Sequence, residues 1–320
     1  MSDGGSEGDG GVRTIGVDLG GTKVLAGRVL ADGTVTDRVK RPTPTEGPEA
    51  VATTIAEMVD ELGGADRLGV GTPGYVGGDG VVAGVPNLVG WVPPVPLGQL
   101  LRAATGLARV AVDNDVNVGA LGEAAHGAAA GRSDVLCAFM GTGVGGGLIL
   151  DGRLWRGPRG LAGEIGHVTV RAGGRPCGCG GRGHMEAYAG RVGMEREARR
   201  RHDAGEETVL VELAGEGRMK SGTFAKALAQ DDRVATELVA EAVDAVAIAI
   251  ASTVMLVDVT AVVIGGGVAD KLGPPFVARI AEAVAAQVGP LLTVDVLPAA
   301  LGEDAGVVGA ALLATPRSAR

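Results

Sequence analysis

Ile15-Gly16-Val17-Asp18-Leu19-Gly20-Gly21-Thr22-Lys23 runs an apolar segment into a glycine turn, and Val24 to Leu30 answers with a second β run. Ala31-Asp32-Gly33 turns that run into a third, Thr34 to Val39. Half a chain later the order recurs. Val135 to Met140 is a β run, Gly141-Thr142-Gly143-Val144-Gly145-Gly146-Gly147 is the glycine turn, Leu148-Ile149-Leu150 is the returning strand, and Asp151-Gly152 turns it back. Asp-Gly between apolar runs is a hairpin signal, because both residues tolerate left-handed backbone. Two copies of strand, Gly-Thr turn, strand, Asp-Gly turn predict a duplicated α/β fold with a cleft between its halves.

The segments around these hairpins are helical. Pro48 to Leu62, Val234 to Leu256 and Pro275 to Val288 carry apolar residues at helical spacing, and Gly306 to Ala314 is a last small, apolar helix. Ala261-Val262-Val263-Ile264 runs into Gly265-Gly266-Gly267, a third strand-to-glycine junction. The expected organisation is a tail over 1–11, a small α/β domain over 12–118 completed by a C-terminal helix over 306–320, and a large α/β domain over 119–305 with a dimerisation surface. At 320 residues there is material for two cores.

A turn without Cβ atoms lets backbone N–H groups converge on an anion, and a threonine hydroxyl adds a donor. Glycine is 57 of 320 residues, so the spacing G-x-G-x-x-G alone says little; it occurs at Gly69, at Gly141 and at Gly178. Context decides. A dinucleotide fold needs a helix directly after the turn, and Gly141 to Gly147 leads into a hairpin instead. A P-loop needs Gly-Lys, and no lysine here follows a glycine; G-x-S-x-G occurs only as Gly4 to Gly8, in the tail and with no apolar strand leading into it. The phosphate-binding β-hairpin of the actin and hexokinase type remains.

His167, Cys177, Cys179 and His184 are spaced H-x9-C-x-C-x4-H, in a loop of glycine, arginine and proline. Two thiolates and two imidazoles suit tetrahedral Zn²⁺, which would stiffen a loop with little else to order it. The alternative is two reduced surface cysteines beside unrelated histidines.

Asp18-Leu-Gly-Gly-Thr-Lys23, Asp113-Asn114-Asp115-Val116-Asn117, Gly163-Glu164-Ile165-Gly166-His167 and Cys177-Gly-Cys-Gly-Gly-Arg-Gly-His-Met-Glu186 resemble, in order from about residue 13 to 315, the ROK family of repressors and sugar kinases. The resemblance implies two ribonuclease-H-like domains closing over a sugar and ATP, usually as a homodimer or homotetramer. It implies an ATP-dependent hexose kinase, most like bacterial glucokinases of the family.

By that resemblance Asp115 matches the catalytic base. On the residues alone, an Asn-Asp pair at a strand end reads equally as a helix cap. Asn114, Glu164, His167 and Glu186 match sugar-hydroxyl ligands, with Gly74 and Asn87 in segments bordering the sugar. Asp18 matches the residue near Mg²⁺. Gly20, Gly21, Thr22, Lys23, Gly141, Thr142 and Gly143 match the phosphate loops, and Gly265, Gly266 and Gly267 the adenine side. His167 would touch both sugar and a structural zinc. The family usually has cysteine where His184 stands, so a Cys2His2 site is expected.

Several classes are disfavoured. A net charge of −9 repels polyanions, and only seventeen residues precede Asp18, so no DNA-reading domain is expected. The apolar run Ala245 to Val257, closed by Asp244 and Asp258, is short for a bilayer, and no signal peptide is expected. Three cysteines, two of them in C-x-C, suit a reducing cytoplasm. Glucose leads over fructose, allose, mannose and N-acetylhexosamines. ATP is favoured over polyphosphate by the glycine junction at Gly265.

Overall fold

The computed structural model describes residues 12–84 and 88–316, so Asn87 and the tail over 1–11 lie outside it. The chain divides into two compact units. One ends at Asp115 and takes back the chain from Gly306; the other is Val116–Ala305. The sequence reading set the first boundary after Val118, whereas it falls at the opening residue of a helix.

The first unit contains β1 (Thr14–Leu19), β2 (Lys23–Val29), β3 (Val35–Pro42), α1 (Pro48–Glu61), β4 (Arg67–Thr72), α2 (Leu97–Thr105) and β5 (Val110–Asn114). Helix α3 (Asp115–His126) leads into the second unit. There follow β6 (Val135–Met140), β7 (Val144–Leu150), β8 (Arg153–Leu154), α4 (Glu186–Ala189), α5 (Arg191–Asp203), α6 (Val209–Ala214), α7 (Ser221–Leu228) and α8 (Arg233–Val257). Then come β9 (Ala261–Gly265), α9 (Gly267–Leu272), α10 (Pro274–Val288) and β10 (Asp295–Pro298), and α11 (Ala305–Ala314) rejoins the first unit.

Among the described residues each unit holds a five-stranded sheet, ordered β3-β2-β1-β4-β5 and β8-β7-β6-β9-β10. In both, the two hairpin pairings are antiparallel and the two pairings beyond them parallel. The duplication read from the hairpins is therefore a duplication of whole sheets. Position explains composition. β1, β4, β6 and β9 are nearly continuous buried apolar runs, as strands covered on both faces must be. β3 is an edge, and Asp37, Arg38, Lys40 and Arg41 discourage pairing with another chain.

Close helix approach is set by paired glycines. Gly16 and Gly69 stand side by side on β1 and β4. A Cβ at either would lie 1.8 Å from Val307 O or 1.7 Å from Ala310 O of α11. On β7, a Cβ at Gly145 or Gly147 would strike Val116 Cγ2 (2.6 Å) or Ala120 Cβ (2.4 Å) of α3, and one at Gly146 would strike Gly163 O at 2.5 Å on the other face. This corrects the reading of Gly141 to Gly147 as one long turn. Only Gly141–Gly143 turns; the next three glycines are strand, made small by what packs on them.

α8 is 25 residues long, capped by the Asp232 carboxylate accepting from Ala235 N (2.7 Å), and it extends well before the apolar run seen in the sequence. By length and composition it could cross a membrane. Most of its apolar residues from Val234 to Val254 are instead buried in the core of the second unit.

Candidate functional site

The first glycine turn is tied back by one residue. Gly20 N donates to Lys23 O (2.9 Å), while Gly20 O accepts from Thr43 Oγ1 (2.7 Å) and Thr22 O from Thr43 N (3.1 Å). The second turn follows the same plan with different parts. Gly141 N donates to Gly143 O (2.9 Å), and the carbonyls of Gly141 and Thr142 accept from the N–H groups of Arg191 and Val192, both at 3.1 Å. Val144 N donates to Glu186 Oε2 (3.0 Å). Among the described residues no hydrogen bond engages the amides of Gly21, Thr22, Thr142 or Gly143. A turn whose carbonyls are occupied from behind presents donors, which suits an anion. Beside the first turn, Asp18 faces the start of α11, where a Cβ on Gly306 would lie 2.9 Å from Asp18 Cγ.

At the ends of β4 and β5, Asn114 Nδ2 donates to Gly74 O and to Asp115 Oδ1, both at 3.0 Å, and Asn114 N donates to Asp113 Oδ1 (2.7 Å). Gly74 has φ +99°, and a Cβ there would lie 1.8 Å from Gly84 O. Only glycine passes at such a point. Gly74, Asn114 and Asp115 thus form one cluster, with a carboxylate held by an amide at the start of α3, where the helix favours negative charge.

In the second unit a short 3₁₀ turn, Ile165–His167, puts Glu164 and His167 on one side, with Glu164 Oε2 3.7 Å from His167 Nε2. Burial holds the Glu164 carboxyl above the usual carboxylate range; the Glu186 charge adds to this and His167 opposes it. His167 Nδ1 lies 3.8 Å from Cys177 Sγ, and that thiol donates to Glu186 Oε1 at 3.4 Å. Burial pushes the Cys177 thiol up to about 11. Glu186 therefore joins Cys177 on one oxygen to the second glycine turn on the other.

His167, Cys177, Cys179 and His184 place four donor atoms within 4.8 Å of one another, with Cys179 Sγ 3.2 Å from His184 Nδ1. A tetrahedral zinc spaces N and S ligands by about 3.3–3.8 Å, so modest contraction would complete the shell. The imidazole at 184 has a matching vacancy in the chain: a Cβ on Gly181 would lie 2.3 Å from His184 Cε1. The loop has other anchors than the sequence suggested. Arg175 pairs with Glu241 (2.5 Å) and Glu197 (3.3 Å) and lies over the Tyr188 ring, 4.8 Å from its centroid.

Gly265 ends β9, and Gly266 turns into α9 with φ +86°; a Cβ there would lie 2.6 Å from Met140 O, next to the second turn. Within the units, then, the structure groups Asp18 with the first turn, Gly74 with Asn114 and Asp115, and Glu164, His167 and Glu186 with the Cys/His cluster and the second turn. Sequence reasoning missed Thr43 and Arg191. Nothing local marks them, because each acts on a turn more than twenty residues away in sequence.

The ROK family profile matches residues 14–317. A glucokinase of Thermotoga maritima is 34% identical over 314 residues, covering 96% of this chain and 98% of that protein. An N-acetylmannosamine kinase of Escherichia fergusonii is 34% identical over 303 residues, covering 94% and 98%. The crystal structure of a ROK family glucokinase from Streptomyces griseus, in complex with glucose and AMPPNP, superimposes with a TM-score of 0.80 at 35% identity, covering 94% of this chain and 98% of that one. With its doubled sheet and near-complete alignment, this chain belongs to the ROK family.

Proposed function

We infer that the protein is an ATP-dependent sugar kinase that phosphorylates a hexose at its 6-hydroxyl, with glucose as the leading substrate. The observation that carries the reading is the pair of glycine-threonine turns, each with carbonyls fastened and amides left over, in a chain aligned end to end with glucokinases.

Asp115 is the proposed base. Its carboxylate takes the proton of the sugar 6-hydroxyl as that oxygen forms its bond to the γ-phosphorus and the bond to the ADP oxygen breaks. The Asn114 amide on Oδ1 fixes the rotamer of that carboxylate. Asn114, Glu164, His167 and Glu186, with Gly74 and Asn87, are proposed to hold sugar hydroxyls. Gly20, Gly21, Thr22 and Lys23, together with Gly141, Thr142 and Gly143, are proposed to receive phosphates, and Gly265–Gly267 the adenine side. Mg²⁺, near Asp18, would neutralise charge on the β- and γ-phosphates. Zn²⁺ on His167, Cys177, Cys179 and His184 would be structural, with all four positions taken by protein. We place the enzyme in the cytoplasm as a homodimer or homotetramer, acting without nucleic acid or membrane.

N-acetylmannosamine is the specific second reading, favoured by the relative from E. fergusonii. A coupled ADP-release assay over glucose, fructose, allose, mannose and N-acetylmannosamine, with ATP and with polyphosphate, tests all of this. The highest kcat/KM is expected for glucose with ATP. Turnover confined to N-acetylmannosamine would replace glucose, and no ADP release with any sugar would end the kinase reading.

A further inference from the structure

The second turn differs from the first in what touches its threonine. Arg191 Nη2 donates to Thr142 Oγ1 at 3.2 Å. Its Nη1 donates to Met219 O at 2.7 Å, and Glu195 Oε2 lies 3.6 Å from it, one helical turn on. Both side chains are largely buried, Arg191 13% and Glu195 14% exposed, so the guanidinium is held in one place. Arg191 and Val192 also open α5, and their backbone N–H groups take the carbonyls of Gly141 and Thr142. One helix end therefore grips both the backbone and the hydroxyl of this turn.

A guanidinium has donors only, so a threonine oxygen beside it must accept. With that lone pair occupied, the hydroxyl proton is left to donate elsewhere, and an anionic oxygen is the partner it would find strongest. The positive charge one atom behind reinforces this. We propose that Arg191 is a positioning residue for the nucleotide: it sets the Thr142 hydroxyl as a donor to a transferred or bridging phosphate without touching the phosphate itself. The inference rests on the reading of Gly141–Gly143 as a phosphate turn. The Thr22 turn is fastened by Thr43 and has no counterpart to Arg191 among its described contacts.

The test is a double-mutant cycle on the full chain with Arg191→Met, Thr142→Ala and both together, reading the Kd of a non-hydrolysable ATP analogue with Mg²⁺, the KM of glucose and the thermal midpoint. Arg191→Met is expected to weaken analogue binding about tenfold, the value of one charge-assisted hydrogen bond. Glucose KM should stay within about twofold, and Arg191→Met should add less than about twofold once Thr142 is alanine, because both changes remove one interaction. Arg191→Lys, which keeps charge but loses the fork, should fall between wild type and Arg191→Met, and it carries the cycle if the methionine variant does not fold. Effects that multiply in full, or a glucose KM that rises as much as the nucleotide Kd, overturn the inference while leaving the kinase reading in place. Wild-type protein that binds no nucleotide overturns both.

Discussion

The hairpins β1–β2 and β6–β7 are one design made twice, and they are fastened in different ways. In the first, Thr43, just past the end of the edge strand, supplies both a side-chain and a backbone donor to the turn carbonyls. In the second, the start of α5 supplies them, with Glu186 adding an acceptor for Val144 N. The cause is what lies between the third and fourth strands of each sheet. In the first unit that gap holds α1; in the second it holds the Cys/His loop and helices α4 to α8. An inserted segment that must pass the turn can grip it and bring the Glu186 carboxylate and the Cys/His cluster beside it. Equal topology therefore does not mean equal work. The first unit carries the Asn114–Asp115 pair at a strand end, and the second carries Glu164, His167 and Glu186 beside its Cys/His cluster.

The asymmetry is sharpest at the strand ends. β5 runs into Asn114-Asp115, whereas its counterpart β10 runs into Pro298-Ala299-Ala300. Asp115→Asn should fold normally and lose about 10²–10⁴-fold in kcat, with glucose affinity nearly unchanged, since removing a proton acceptor acts on chemistry. Steady-state kinetics and a separate glucose titration check it. A variant retaining a tenth of wild-type kcat sinks the assignment.

The two sheets can next be compared by how tightly a helix lies on each. Gly16→Ala drives a Cβ to 1.8 Å from a backbone carbonyl oxygen of α11, while Gly147→Ala brings one to 2.4 Å from the Ala120 Cβ of α3, with Val116 O next at 3.3 Å. About 3 kcal/mol is expected for the first and about 2 kcal/mol for the second, because both require a helix to move and the first overlap is the deeper. Denaturant midpoints decide, and equal losses would mean that α11 can slide to make room.

The insertion is probed through the zinc proposed for it. Purified protein should carry about one Zn²⁺ per chain, and Cys179→Ser should release it. Glucose KM should then rise about tenfold with kcat less affected, because His167 and Glu186 are proposed to grip hydroxyls in ground and transition states alike. The Arg175 anchors limit the damage to the tip of the loop. His184→Cys should keep the metal, while Gly181→Ala should lose affinity by crowding the imidazole. Elemental analysis near zero in fresh wild-type protein ends the zinc reading, and tight zinc in His184→Ala would show a different fourth ligand.

The smallest effect is expected in the ion pairs that hold the insertion together. Glu206 lies between Arg201 and Arg233, whose hydrogen bonds hold its carboxyl down at about 2. A lowered carboxyl contributes stability that is complete above its ordinary value of 4.5 and is lost as pH falls through about 2. Glu206 is partly and Arg233 largely exposed, so Glu206→Gln should lower the thermal midpoint only slightly at pH 7, and the difference from wild type should shrink steadily as pH falls from 4.5 toward 2. A gap that widens on acidification would contradict the pairing.

The sequence by itself determined the doubled hairpin, the helices that follow the strands, and the spacing of histidines and cysteines. Each depends on residues near one another in the chain: Asp-Gly turns, apolar period, ligand spacing in a short loop. It also ranked Asp115 beside Asn114 as a candidate base or cap, and the resemblance separated the two. Only the tertiary structure decided which glycines turn and which merely make room. Gly145, Gly146 and Gly147 look like a continuing turn until α3 and Gly163 are laid against them. Tertiary structure likewise brought Thr43 and Arg191 to the turns they hold, and Gly181 under the ring of His184. Local spacing carries no trace of these, because a side chain's usefulness there depends on where a distant segment happens to pass.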